Sequence, residues 1–129
     1  MSVTRYLPFV GRLFIGIPWI ASGLSKVANY AGTIALIEHS TLPLPPPLAY
    51  AGAIAVELGC SILIILGYQT RIVAVLFALF CLVTAVCFHA NFADPNQTFH
   101  FIKNLIMTGG LLQIVANGAG AISVDNRIF

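Results

Sequence analysis

The sequence predicts an all-α fold: an integral membrane four-helix bundle in which residues 1–129 form a single transmembrane domain. Three observations carry this reading. The chain is 59% hydrophobic and only 8% charged, with a mean hydropathy of +0.96, so it has too few charges to cover a soluble globule. Its apolar residues fall into four stretches, about 6–25, 48–68, 71–92 and 99–121, each close to the roughly 20 residues that span a bilayer as a helix. Near the middle of the second stretch stands a single carboxylate, Glu57. An acid at that depth costs about 2.5–3.5 kcal/mol to insert, and each Leu, Ile or Val returns about 0.3–0.6, so the helix inserts and takes Glu57 with it. Such a group faces a partner, a cavity or a ligand rather than lipid. Arg12, Lys26, His89 and Lys103 are the candidate partners.

In the first stretch, Arg12, Gly16, Trp19, Gly23 and Lys26 follow one another at helical spacing and share one face. Two glycines on that stripe admit a close neighbour, which turns the face inward. Pro8 falls in the tolerated first turn, and Pro18 is expected to bend the helix near Trp19. Arg5 and the small residues Ala21, Ser22 and Gly23 give the stretch the outline of a secretory signal, but Arg12 interrupts the apolar core that a signal requires. Residues 34–39 are too short to cross; they read as a short interfacial helix, with a plain connecting loop as the alternative. Pro43, Pro45, Pro46 and Pro47 then deliver the chain, extended, into the second span.

The second span carries Tyr50, Cys60, Ser61, Ile64, Tyr68 and Arg71 on the face of Glu57. Gly67-Tyr68-Gln69-Thr70 is a tight turn, so the second and third spans are antiparallel neighbours. In the third, Phe77, Phe80, Thr84 and Phe88 line one face while His89 points elsewhere. Asp94-Pro95 breaks the chain in a polar loop. The fourth span sets His100, Lys103, Asn104, Met107, Thr108 and Leu111 on one face, with Gln113 and Asn117 elsewhere, and ends at Gly118-Ala119-Gly120 before a short polar tail.

The three cysteines, Cys60, Cys81 and Cys87, lie in apolar stretches without a C-x-x-C spacing and read as packing residues. The net charge of +2 is too small and too dispersed for nucleic acid. Four spans put both termini on one side together with Arg5, Arg71 and Arg127, which favours cytoplasmic termini. Glu57, His89, His100, Lys103 and Lys26 then form a polar funnel entering from the other side, with Arg12 reaching towards Glu57 from below. One reading of this cluster is an ion-pair network, Glu57 with Arg12, that only fixes packing. The other is a ligand site, which better explains why two His, two Lys and Asn104 gather at one depth. Haem held by His89 and His100 is a weaker reading, since two His near a loop are a poor signal.

Arg12-Leu13, Gly23-Leu24-Ser25-Lys26, Glu57-Leu58-Gly59, Gly67-Tyr68-Gln69-Thr70-Arg71, His89-Ala90-Asn91-Phe92, Lys103-Asn104 and Ser123-Val124-Asp125 occur here in an order and spacing that resembles the DoxX family of small four-helix membrane proteins. The resemblance covers nearly the whole chain and is strongest to bacterial inner-membrane members of about this length. It implies a multi-pass inner-membrane protein. It also implies membrane oxidoreductase systems, linked to quinone or thiol chemistry, that act through partner subunits. Cys60 stands where many relatives carry a second glycine.

The expected function is therefore a subunit of a membrane oxidoreductase that binds quinone or a small anionic reductant. Glu57 and His89 are the candidate proton-handling groups, and Arg12, Lys26, Trp19, Lys103 and Asn104 the candidate ligand-binding groups. Lys103 and Arg12 would hold an anion or quinone carbonyl, and Asn104 would donate a hydrogen bond. No haem, flavin or metal is expected to be tightly bound, quinone being the candidate loose ligand. The expected partners are lipid, partner subunits and further copies of the chain. A non-catalytic scaffold is the main alternative; a small-solute transporter is weaker, since no inverted repeat is visible.

Overall fold

The computed structural model describes residues 3–88 and 92–128. It contains α1 (Val3–Ala28), α2 (Tyr30–Glu38), α3 (Pro46–Leu66), α4 (Thr70–Phe88), α5 (Pro95–Asn117) and the short α6 (Val124–Ile128). Helices α1, α3, α4 and α5 are long and apolar enough to cross a membrane. Burial is inverted relative to a soluble protein: Arg12 is 1% exposed and Glu57 0%, whereas Phe14 is 76% exposed and Ile106 70%. Only a hydrocarbon surround makes that arrangement favourable.

Helix ends differ from the sequence reading for identifiable reasons. The Asp-Pro pair starts α5 instead of ending a loop. The Asp94 carboxylate accepts from the Asn96 N–H (3.0 Å), and Pro95 takes the first helical position, where its missing N–H costs nothing. At its other end α5 stops at Asn117, because Gly118 turns the backbone to φ 78°. Helix α3 begins two residues before the expected span, with Pro46 and Pro47 in its first turn. It contains a wider π-helical stretch, Ala55–Cys60, with Glu57 inside it. Helix α1 runs unbroken through Pro18. The short interfacial segment is helical: Asn29 caps α2 by accepting from the Gly32 N–H, and Thr33 and Ile37 face inward.

The stripe on α1 does face inward. Gly16 lies against Ile65 and the Ser61 carbonyl, Gly23 against Leu58 and the Glu57 Cβ, and neither site has room for a methyl group. Helices α4 and α5 pack as a second pair. At the end holding the N-terminus the two pairs share a dense core of Ile64, Val73, Phe77, Cys81 and Leu111. The opposite end is less filled.

The polar tail is a docked element. After Gly118 the chain passes under the α3–α4 turn, where Gly67 at φ 72° closes α3 and the Asp125 N–H donates to the Gly67 carbonyl (2.9 Å). The Asp125 carboxylate accepts from the backbone N–H of Gln69 (2.7 Å) and Thr70 (2.8 Å) and from the Thr70 hydroxyl (2.6 Å). It caps α4 from elsewhere in the chain. Burial pushes this carboxyl up, but the Thr70 hydroxyl, the two N–H groups and the charge of Arg12 together hold it below the ordinary carboxylate range.

A folded-state pKa below the unfolded one gives stabilisation that is complete above the ordinary carboxylate pKa and lost as pH falls through the folded value. Asp125→Ala is therefore expected to lower stability at pH 7 by about 1–2 kcal/mol, the size of a lost helix cap. It should also flatten the acid limb of the stability–pH curve. Thermal unfolding in detergent between pH 7 and pH 3 checks both; an unchanged acid limb would remove Asp125 from the account.

Candidate functional site

The less-filled end of the bundle encloses a cavity of about 690 Å³ between the α1–α3 pair, the α4–α5 pair and α2. That volume suits a small organic ligand. Its floor is set by Trp19, whose ring meets Phe77 at 5.3 Å and Phe80 at 5.9 Å, both edge-on. Its mouth is flanked by Leu36, Leu44 and Leu48, each about half exposed on the outer surface.

Glu57 borders the cavity from α3, at about 17 Å along the helix from Pro46. Its counter-charge is Lys26, with Nζ to Oε1 at 2.9 Å. Ser22 completes the group: its hydroxyl donates to the same oxygen (2.6 Å) and accepts from Lys26 (3.0 Å). A carboxylate oxygen receiving an ammonium and a hydroxyl is well satisfied; Oε2, equally buried, has no hydrogen-bond partner. Nor does the Trp19 indole N–H. Both atoms, like the unpaired Ser61 hydroxyl four residues on in α3, are sealed from the cavity space, each an energetic penalty of about 1–3 kcal/mol.

The sequence-derived candidates separate into three groups. Glu57, Lys26, Trp19, Lys103, Asn104 and His100 all border the cavity. Lys103 is exposed and lies 5.7 Å from the Phe99 ring centre. Asn104 donates to the Cys81 carbonyl (3.2 Å) and the Thr84 hydroxyl (2.9 Å), so it joins α5 to α4 at the cavity edge. His89 lies outside the described residues, and with it the paired-histidine reading. Arg12 is at the other end. Its guanidinium donates to the carbonyls of Ile64 (3.0 Å), Ile65 (2.8 Å) and Ile122, closing the end of α3 onto the tail. The expected approach of Arg12 to Glu57 is thus corrected: the carbonyls left open at a helix end are nearer acceptors, and Lys26 already neutralises the acid. Among the described residues no three His, Cys, Asp or Glu side chains gather as a metal site.

Ser22 was not among the expected site residues, although it stands four residues before Lys26 and so on the same face of α1. Thr33 and Thr84 also border the cavity. Their hydroxyls are held by the Asn29 and Cys81 carbonyls.

The DoxX family model matches residues 7–90, from the first turns of α1 to beyond the end of α4. The chain belongs to the DoxX family. Two Escherichia coli (strain K12) relatives extend the likeness to nearly the full length of this DoxX protein. It is 38% identical to inner membrane protein YqjF over 92% of the chain and 89% of YqjF, and 32% identical to inner membrane protein YphA over 98% of the chain and all of YphA. A protein of Bacillus subtilis (strain 168) named "Putative oxidoreductase CatD" is 32% identical over 92% of the chain and 84% of its own length. No solved structure matches this DoxX chain.

Removing one partner of a buried ion pair strands the other charge, whereas replacing both with apolar residues is often neutral. The Glu57 side chain is 1% exposed and that of Lys26 30%, so the two single losses should differ. Lys26→Leu is expected to cost about 3–5 kcal/mol, Glu57→Leu less, because Lys26 can turn its ammonium towards water, and the double variant close to nothing. A thermal double-mutant cycle in detergent reads all three. Equal costs for the single variants would count against Lys26 as the mobile partner.

Proposed function

We propose that this DoxX protein is the membrane subunit of an oxidoreductase system and that its cavity binds a quinone headgroup. The observation that carries the reading is the cavity itself: a mostly apolar space beside a buried carboxylate that is paired with a lysine. Three features support quinone. The leucine-flanked mouth suits a ligand that arrives dissolved in lipid. The Lys103 ammonium at the cavity border offers a donor to a ring oxygen. Glu57, joined to Lys26 through Ser22, is a proton-handling group within the wall. The name of the Bacillus subtilis relative agrees with a redox role. Lys26 and Lys103 at the cavity border favour a small anionic reductant as the second reading.

On this reading the chain sits in the bacterial inner membrane with both termini cytoplasmic, an orientation that Arg5, Arg71 and Arg127 at that end favour. Partner subunits would deliver or remove electrons, and further copies of the chain are expected neighbours in the bilayer. In a cysteine-free background, an impermeant thiol reagent applied to intact spheroplasts should label Asn96→Cys and spare Asn126→Cys. The opposite pattern would invert the topology.

Trp19 is the chain's single tryptophan, so its fluorescence reports on the cavity directly. Decyl-benzoquinone added to the protein in lipid nanodiscs should quench it saturably. Ala53→Phe, which puts a ring into the cavity from its wall and leaves the charged groups in place, should convert saturation to the weak linear quenching of quinone dissolved in lipid. Linear quenching by the unaltered protein would leave a scaffold role ahead.

A further inference from the structure

We infer that a groove at the end of the bundle holding the termini binds the headgroup of an anionic phospholipid, with Arg71 as the ligand of its phosphate. This groove is separate from the cavity beside Glu57 and is independent of the quinone reading. It has a volume of about 590 Å³ and lies between the first turn of α4, the end of α5 and the docked tail. Arg71 is the second residue of α4, so its cation stands at the edge of a membrane span, where lipid headgroups lie. Its guanidinium is folded across Gly118: a methyl group on residue 118 would lie 3.3 Å from Nε and 3.4 Å from a terminal nitrogen. Among the described residues Arg71 nonetheless makes no ion pair and no hydrogen bond, so it does not cap the α5 end that it overlies. Arg12, by contrast, is fully engaged by carbonyls.

Of the chain's four acidic residues only Asp125 borders the groove, and its oxygens are already occupied. One accepts from the Gln69 N–H, the other from the Thr70 N–H and hydroxyl, and Arg12 opposes its charge. Among the described residues the groove therefore offers an open cation and no open anion. A guanidinium fork matches two phosphate oxygens in charge-assisted hydrogen bonds. A zwitterionic headgroup brings an ammonium for which no open carboxylate waits. A glycerol headgroup brings hydroxyls, which the bordering amides of Gln69, Asn117 and Asn126 can meet. The surface leading away from the groove makes the anion a lipid. Ile72, itself a groove residue, is exposed, and exposed Leu76 and Leu79 continue its stripe along α4 into the span. An acyl chain lies on that stripe when its phosphate sits on Arg71.

The test is native mass spectrometry of the full chain in mild detergent, offered equal amounts of phosphatidylglycerol and phosphatidylcholine with matched acyl chains. Phosphatidylglycerol is expected to be retained about fivefold more, the weight of one arginine near an anionic headgroup. Arg71→Gln should bring the ratio to near unity. Arg5→Gln, which removes a charge from the same end but outside the groove, should leave the ratio unchanged. Equal retention of the two lipids by the unaltered protein overturns the inference even if the variants do not fold. An equal loss in Arg5→Gln and Arg71→Gln also overturns it, since that pattern marks diffuse surface charge. Inorganic phosphate at millimolar concentration should not displace the lipid; displacement assigns the groove to a soluble anion instead.

Discussion

Burying Glu57 against α1 demands a counter-charge on that helix, and the pair with Lys26 meets the demand while fixing how α1 and α3 meet. Once Lys26 points at Glu57, the stripe that carries it must face α3 along its whole length. Gly23 is then pressed against Leu58 and the Glu57 Cβ, and Gly16 against Ile65. Lipid gives helices no hydrophobic reason to associate, so close backbone approach and internal polar contacts supply the attraction. The α1–α3 contact has both.

The same stripe ends at Arg12, about 21 Å from Lys26 along the helix, where the problem is different. There the carbonyls closing α3 and the tail need donors, and no water is available inside the bundle. One guanidinium serves Ile64, Ile65 and Ile122 together, and Asp125 beneath it caps α4. With both termini of the α3–α4 turn satisfied, this end can be densely packed. Among the described residues, the opposite end is tied by the Asn104 contacts and the Thr41 N–H to the Cys87 carbonyl. Space remains there beside Glu57. One end of the bundle is a clamp, and the other holds the cavity.

What the sequence disclosed follows from what side-chain patterns can encode. Four apolar stretches gave the spans, and helical spacing gave the inward faces of α1, α4 and α5, including the cavity positions Phe80, Thr84, Phe88, Asn104 and Met107. Glu57 stood out because a lone acid in an apolar span is costly. Its partner was ambiguous, since Arg12 and Lys26 lie on one stripe at opposite ends. Carbonyl acceptors carry no residue signature, so the carbonyls that hold Arg12 were invisible. The docking of Asp125 was equally hidden, because a cap supplied from 55 residues away leaves no local motif. The π-helical stretch around Glu57 was out of reach for a related reason. It accommodates an extra residue, which turns the two halves of α3 relative to each other by about 100°, and a strict helical period cannot register that.

The charge balance at the cavity bears on what can occupy it. Lys26 and Glu57 neutralise each other within 2.9 Å, so an uncharged apolar molecule enters without burying a bare charge. A small anion meets a harder demand. To gain Lys26 it must compete with a carboxylate already seated and hydrogen-bonded by Ser22, and Glu57 would then be left as a buried charge without its partner. Lys103 is no substitute, because it lies exposed near the Phe99 ring, where water screens it. The same pairing that lets Glu57 reside in the membrane thus tilts the cavity towards neutral ligands that hydrogen-bond, and away from those held by charge alone.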